Sequence, residues 1–421
     1  MPSLAVVGGG WAGLAAAVHG VSAGHRVTLF EMAPQLGGRA REVPLGGLPL
    51  DNGQHILIGA YTATLALMRQ VGVDTDTALQ RLPLVLSDAR GHGLHLRPGR
   101  PAPAFAAAVL RHPGWSWRDK LSLLGAAGRW AVQGFRCDPA LDVATLCRGL
   151  GAAVRGDLID PLCVAALNTP APEASASVFL RVLRDALFSG PGAADLLLPR
   201  CSLGALLPEP AGRWLGQAGA SLRLAQRVQG LAPHGGGWRV DGEAFDRVVL
   251  ATPPREAARL CAPIDAAWAE TARAMRYEPI VTVYLRCDGA RLPFPMVALQ
   301  EGPDAPAQFV FDRGRLGGPA GLLAFVVSGA QAWVERGADA TLAATQAQAR
   351  RELGACLAGP LEVVKLIVEK RATFRCTPAL QRPALRIAPG LHAAGDHVEG
   401  PYPATLEGAV RSAALAVHAF G

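Results

Sequence analysis

Gly8, Gly10 and Gly13 stand at G-x-G-x-x-G spacing directly after the apolar run Leu4-Ala5-Val6-Val7. A second apolar run, Val27-Thr28-Leu29-Phe30, ends in the acid Glu31. The chemistry this spacing serves is recognition of a dinucleotide. Gly8 allows a tight turn, Gly10 lets backbone approach a pyrophosphate, and Gly13 lets the following helix pack closely on the strand. The helix N-terminus offers unpaired N–H groups to phosphate, and Glu31 lies about where a ribose-binding carboxylate belongs. Leu36-Gly37-Gly38-Arg39 comes next. Paired glycines admit a close ligand, and Arg39 is a fixed cation that could pair with the pyrophosphate. Near the other end, Leu391-His392-Ala393-Ala394-Gly395-Asp396 precedes Pro403-Ala404-Thr405-Leu406-Glu407-Gly408. Asp396 could accept from sugar-like hydroxyls, and a helix starting near Ala404 or Thr405 could stabilise negative charge on a bound ligand. Taken singly, each motif also has a plainer account: a glycine-rich turn of another α/β protein, a simple G-G-R turn, or an aspartate that caps a helix.

These side chains need strands that end where the motifs begin. Residues 4–95 have α/β character, and residues 100–200 show helical periodicity broken by Pro and Gly. Residues 218–252 return to strand and end in Val248-Val249-Leu250-Ala251. Residues 278–286, 296–300, 308–312 and 321–328 should be strands of a mixed sheet, followed by a helix over 338–358 and a strand over 362–370. Residues 385–421 finish as strand, glycine turn and long helix. The expected fold is α/β, or α+β overall. A Rossmann-like nucleotide-binding domain would be assembled from segments 1–99, 201–269 and 385–421. A substrate domain would combine the helical insertion 100–200 with the sheet of 270–384. Gly235-Gly236-Gly237 falls between two expected strands and suits a hairpin turn. No second G-x-G-x-x-G marks a nicotinamide domain, so any reducing equivalents should come from an external electron donor.

The chain of 421 residues is half hydrophobic and carries a net charge of +7. Of 41 basic residues only Lys120, Lys365 and Lys370 are lysines, a bias that suits GC-rich coding as well as an anion-binding surface. No basic run of the nucleic-acid type occurs, and no nucleic-acid partner is expected. The eight cysteines are scattered without C-x-x-C or zinc spacing, so they are expected to be reduced thiols with no metal. The first strand starts at Leu4, and no apolar run reaches the roughly 18–20 residues of a membrane span. A cytoplasmic protein is expected, with peripheral contact at the inner face of the membrane as one option. Residues 103–136 place Trp115, Trp117 and Trp130 among leucines and arginines. Such a helix pair suits an anionic lipid surface, or equally a pair packed on the core.

Together the head fingerprint, E-x5-G-G-R, D-x-G at Asp51 and Gly53, A-T-P-P at 251–254 and G-D-x6-P-A-T-x-E-G-A resemble the FAD-dependent amine oxidase and phytoene desaturase superfamily. The resemblance spans the chain and implies FAD. It would place Gly8, Gly10, Ala12 and Gly13 at the nucleotide, Glu31 on the adenosine ribose, and Gly37, Gly38 and Arg39 at the phosphates. Val228 would pair with adenine through its backbone. Gly395 and Asp396 would lie at the ribityl–pyrophosphate region, with the Leu406 N–H towards the flavin. More narrowly, Leu50-Asp51-Asn52-Gly53-Gln54-His55 through Tyr61, Ala166-Leu167-Asn168-Thr169-Pro170 and Leu197-Leu198-Pro199-Arg200 resemble the hydroxysqualene dehydroxylases, the squalene-associated FAD-dependent desaturases of hopanoid pathways.

That narrower resemblance implies a C30 isoprenoid substrate whose allylic hydroxyl is replaced by hydrogen. The flavin supplies hydride, and the protein supplies orientation, a proton donor and a dry tunnel. It places Gly53, Gln54 and His55 near the flavin. His55 is the first choice of donor because an ordinary imidazole titrates near neutrality; it could equally hydrogen-bond the cofactor or backbone. Asp51 could orient this loop or simply form a turn, and Tyr402 and Glu399 are further candidates. Two other enzyme classes share the superfamily, carotenoid-type desaturases and amine oxidases. An amine-selective aromatic cage is hard to assemble from four tyrosines, at 61, 277, 284 and 402. A flavin-free lipid-binding escort is the non-enzymatic alternative, and the intact phosphate glycines and Glu31 speak against it.

Overall fold

The computed structural model describes residues 1–420; Gly421, the last residue of the expected segment 385–421, lies outside them. A six-stranded sheet carries the first glycine turn. Its strands run in the order Ser221–Arg223, Arg26–Phe30, Ser3–Val7, Arg247–Leu250, Leu391–Ala393, Arg386–Ala388. All neighbours are parallel except the last edge pair. Ser3–Val7 is buried throughout. The strand that follows it in sequence lies on one side and the much later Arg247–Leu250 on the other. Ligands of open α/β sheets bind at such a switch point, beyond the carboxyl ends of the strands.

Helix α1 (Trp11–Ser22) and the C-terminal helix Leu406–His418 cover one face of this sheet. Leu4, Leu14, Leu29 and Val410 are fully buried between them, each worth roughly 1.5–3 kcal/mol. The other face packs Val7, Phe30, Val248 and Leu250 against a three-stranded antiparallel ladder over 231–245 and the helices Pro254–Cys261 and Ala266–Arg273. Gly235 and Gly236, at φ +55° and +84°, make the tight turn between the first two strands of that ladder.

The second sheet differs from the mixed sheet expected. Its order is Met296–Ala298, Phe309–Asp312, Leu322–Val327, Tyr277–Arg286, Glu362–Phe374, and every ladder is antiparallel. The helix that connects its last two strands in sequence, Ala338–Leu353, covers one face and carries the chain over Tyr277–Arg286, so that Glu362–Phe374 runs the same way as Leu322–Val327 and antiparallel to the strand between them. Side chains alternate accordingly. Val281, Val283 and Leu285 enter the core under that helix, while Ile280 and Tyr284 face the opposite side.

The insertion holds helices α2 (Pro101–Arg111), α3 (Trp117–Val132), α4 (Asp160–Leu167) and α5 (Ala176–Phe188). Pro101 starts α2 where its missing N–H costs nothing. Ser116 and Asp119 form a capping box on α3. Asn168 ends α4 in the left-handed region, at φ +49°, a conformation asparagine tolerates better than most residues. Its side chain lashes the insertion to the second sheet: Oδ1 accepts from Gly329 N at 2.6 Å and Nδ2 donates to Thr373 Oγ1 at 2.9 Å. The segment 100–200 also contains a strand, Leu196–Pro199, paired with Leu57–Ile58 and Leu79–Leu82. Burial on both faces removes the alternation that would have announced it.

The expectation of three interfacial tryptophans needs correction. Trp115 and Trp130 are buried in the core of the insertion. Trp115 stacks on His112 with ring centroids 4.0 Å apart and donates Nε1–H to Asp157 at 3.0 Å. Only Trp117 faces outward, because the other two fill a core that this small helical layer must build for itself. All eight cysteines are free. Among the described residues no helix is long and apolar enough to cross a membrane.

Candidate active site

A cavity of about 1130 Å³ runs from the glycine turns of the first sheet, along the free face of the second, to the helices of the insertion. The glycine end is built by close approach. Gly8 lies at φ +109°, and a Cβ there would fall 2.4 Å from Ala251 O. A Cβ on Gly13 would fall 1.7 Å from Gly8 O, so α1 reaches its strand only because position 13 has no side chain. Gly37 N–H donates to Gly9 O at 2.9 Å. A Cβ on Gly38 would stand 3.0 Å from Gly10 Cα. The two glycine turns therefore lie against each other as one bare backbone floor beneath the N-terminus of α1. Glu31 is pinned beside it, Oε2 accepting from Gly9 N at 2.6 Å and Oε1 from Ala33 N at 2.7 Å.

Of the fifteen residues expected to touch the cofactor, fourteen line this cavity: Gly8, Gly10, Ala12, Glu31, Gly37, Gly38, Arg39, Gly53, Gln54, His55, Val228, Gly395, Asp396 and Leu406. Gly13 packs behind the wall instead. The Val228 carbonyl accepts from Arg259 at 2.6 Å. Thr405 caps the C-terminal helix, its Oγ1 accepting from Gly408 N at 3.0 Å, and Leu406 occupies the first helical position, where N–H groups lack intrahelical partners.

Arg39, the fixed cation expected at the pyrophosphate, also ties the two sheets together. It pairs with Asp396 at 2.5 Å and donates to Ala372 O at 2.7 Å, bridging the two sheets. Burial alone would raise the Asp396 carboxyl, but Arg39 and His397 outweigh it and hold it well below the usual carboxylate range. Burial likewise disfavours the Arg39 cation, and Asp396 more than restores it.

The donor candidates separate clearly. His55 lines the cavity, yet burial and then the Arg39 charge lower its pKa to about 4. Its imidazole is neutral at neutral pH, so the argument from an ordinary histidine pKa does not hold for it. Asp51 does not reach the cavity. It is buried behind the loop, where Leu203 N donates to Oδ1 at 2.8 Å and Arg313 stands 3.6 Å away. Arg313 also donates to Gln54 Oε1 at 3.0 Å, and Gln54 donates to Tyr284 Oη at 2.9 Å. Asp51 is thus part of a buried bracket that sets the Gly53–His55 loop. Glu399 is exposed and away from the wall. Tyr402 lies on the wall; its Oη accepts from Arg181 Nη2 at 2.9 Å, which leaves its own hydrogen to be donated elsewhere. Burial, then Asp185, raise its pKa, so the phenol stays protonated at neutral pH.

Three buried polar atoms on the wall have no partner among the described residues: Thr252 Oγ1, Tyr277 Oη and His397 Nε2. Such atoms are costly unless something bound satisfies them. Together with the bare glycine floor and Glu31 they fit a bound flavin nucleotide. Sequence reasoning missed Tyr277 and His397. The second directly follows Asp396 and could have been flagged by that position; the first is the initial residue of a strand and carried no local signal. Away from the glycines the wall turns apolar, with Phe105, Leu158, Leu183, Met296, Phe311 and Ile367. Asp185, the carboxylate at this end, is neutralised by both of its oxygens accepting from Arg181.

Comparison with known proteins agrees with this geometry. A hydroxysqualene dehydroxylase of Rhodopseudomonas palustris is 29% identical over 433 aligned residues, covering 97% of this chain and 95% of that protein. One from Zymomonas mobilis is 25% identical and covers 97% and 96%. A probable zeta-carotene desaturase of Synechococcus elongatus is 40% identical, but over only 16% of this chain. Among solved structures, an oxidoreductase from Methanosarcina mazei superposes with a TM-score of 0.74 at 17% identity, covering 98% of both chains. A putrescine oxidase superposes at 0.67 and 18%, covering 100% of this chain and 98% of that one; at these identities the likeness is one of fold. The family described as flavin containing amine oxidoreductase matches residues 11–419, and the chain belongs to that family.

Proposed function

We propose that this flavin oxidoreductase binds FAD and removes the allylic hydroxyl of hydroxysqualene reductively, giving squalene. The observation that carries the reading is one continuous cavity with a glycine floor for a dinucleotide at one end and a long aliphatic wall at the other. Its volume exceeds the roughly 300–1,000 Å³ usual for a single small ligand. In this reading the segments 1–99, 201–269 and 385–421 form the FAD domain, and 100–200 with 270–384 form the substrate domain. An external donor reduces the flavin, and the protein works in the cytoplasm with peripheral membrane contact through residues 103–136.

In the reaction the C–O bond breaks, the oxygen leaves as water with a proton taken from the protein, and the allylic carbon gains a hydride. Reduced flavin, when bound, supplies that hydride. The apolar wall excludes water while positive charge develops on the carbon. Tyr402 presents the proton at Oη, with Arg181 holding its oxygen from the other side. Neutral His55, with Gln54, orients the ligand from the Gly53–His55 loop.

An amine substrate is disfavoured because the aromatic ring nearest the apolar end is already occupied. Three of the four tyrosines do line the cavity, at 61, 277 and 402. The ring of Tyr402, however, already carries the guanidinium carbons of Arg181 and Arg411 at 4.8 and 5.4 Å, each paired with its own carboxylate, so the ring is not free to receive an ammonium group.

The test is anaerobic incubation of the flavin-loaded protein with hydroxysqualene after chemical reduction, followed by product analysis. Squalene is the expected product. Tyr402→Phe should slow its formation at least ~100-fold, as loss of a general acid does, while flavin content stays unchanged. No turnover here, with desaturation of phytoene-like substrates by the oxidised protein, would replace dehydroxylation by desaturation. A colourless protein that takes up no FAD would favour a lipid escort.

A further inference from the structure

Helix α3 is apolar on two sides. One side, with Leu123, Ala126 and Trp130, is buried in the insertion core. At about 100° per residue, Trp117, Leu121, Gly125, Gly128 and Val132 fall on the opposite side within an arc of about 80°, and all five are exposed. Trp117 is 67%, Leu121 63% and Val132 90% accessible. A helix that has already buried its core face gains nothing in water from a second apolar stripe.

At its C-terminal end this stripe runs into a notch of about 580 Å³, where Val132, Phe135 and Phe188 meet Arg136 and Arg184. The rings of Phe135 and Phe188 are 5.1 Å apart. Arg118 and Arg129 flank the stripe along α3. Among the described residues none of these four arginines forms an ion pair, whereas nearby carboxylates are occupied, Asp119 in the capping box and Asp185 by Arg181. An apolar stripe rimmed by uncompensated cations matches the acyl boundary and phosphate layer of an anionic bilayer. Helix α5 joins this face to the interior. Its residues Val182, Leu183, Ala186 and Leu187 line the large cavity, while Arg184 and Phe188 line the notch.

We propose that α3 and the end of α5 dock on an anionic lipid bilayer, with Arg136 and Arg184 at lipid phosphates, and that α5 is the wall across which an apolar substrate passes between bilayer and cavity. The docking stands on the surface alone; only the passage across α5 rests on the substrate reading above. The test is flotation of the flavin-loaded, full-length protein with vesicles of phosphatidylcholine with or without phosphatidylglycerol. Binding should require phosphatidylglycerol and weaken with salt. The pair Leu121→Glu and Val132→Glu should abolish it. Arg136→Gln with Arg184→Gln should weaken it about 30-fold, at about a factor of five per arginine, and every variant should keep its flavin absorbance. Equal flotation on both vesicles, or variants that bind like the wild type, would overturn the proposal. So would a solution dimer that Leu121→Glu and Val132→Glu dissociates, which would give the face to a second copy of the chain. In detergent micelles the variants should turn over like the wild type. Absence of dehydroxylation there, with flotation intact, would count against the substrate reading and leave the docking standing.

Discussion

Burial and the Arg39 charge push the His55 imidazole in the same direction, to a pKa of about 4. Between that value and the ordinary 6.5, the unfolded chain binds a proton at this position that the folded chain does not. His55 therefore makes stability fall as pH drops from 6.5 towards 4. Asp51 works the other way. Burial, only partly offset by Leu203 N–H and Arg313, raises it to about 6. The folded chain then holds the extra proton between the ordinary carboxylate value and 6, and Asp51 contributes some stability as pH falls through that window. Urea denaturation at a series of pH values separates the two. His55→Phe should flatten the acid loss of the wild type, and Asp51→Asn should steepen it. A His55→Phe profile that parallels the wild type would mean that His55 is not held neutral in the fold.

Glycine acts in opposite ways in two helices, one at the site and one on the outer face of the insertion. In α1, a Gly13 Cβ would lie 1.7 Å from Gly8 O. Gly13→Ala should therefore cost about 3 kcal/mol or more and abolish flavin retention, because the helix must lift off the strand that forms the floor. In α3, nothing lies within 4 Å of a Gly128 Cβ. Gly128→Ala should stabilise by roughly 0.5–1 kcal/mol through the unfolded state and helix propensity, with flavin content unchanged. Urea midpoints and flavin absorbance read both. The same contrast explains what could be read from sequence. The α1 unit was legible because its strand, turn, helix and acid all lie within residues 3–31, and local spacing specifies them. The Arg39–Asp396 pair was not, since its members are 357 positions apart. Nor was the withdrawal of Asp51 from the cavity, which depends on Leu203 and Arg313 arriving from other elements. The antiparallel second sheet was hidden for a related reason: strand runs show that strands exist, but direction depends on which strand lies beside which, and Tyr277–Arg286 lies between Leu322–Val327 and Glu362–Phe374, antiparallel to both.

At the scale of the whole molecule, the sheet that holds the glycine floor draws its strands from residues 3–30, 221–250 and 386–393. These pieces are separated in sequence by the insertion and the second sheet, and a cavity of about 1130 Å³ lies where they meet. A ligand spanning it would touch Gly8, Gly10 and Ala12, then Gly37 to Arg39, then Gly395, Asp396 and Leu406, and would satisfy Thr252, Tyr277 and His397 at once. Binding only the folded chain, it stabilises by mass action, about 2.7 kcal/mol at a hundredfold excess over Kd. Removing flavin should lower the unfolding midpoint, and adding FAD back should restore it. Hydrogen exchange gives the sharper reading, because local opening is reported segment by segment. If one FAD molecule bridges them, it should slow exchange in all three segments together and at matching ligand concentrations. If instead FAD protected residues 8–39 but left 395–406 exchanging as in the flavin-depleted protein, the C-terminal turn would not belong to the cofactor site. The Arg39–Asp396 pair would then be a purely structural clasp between the sheets.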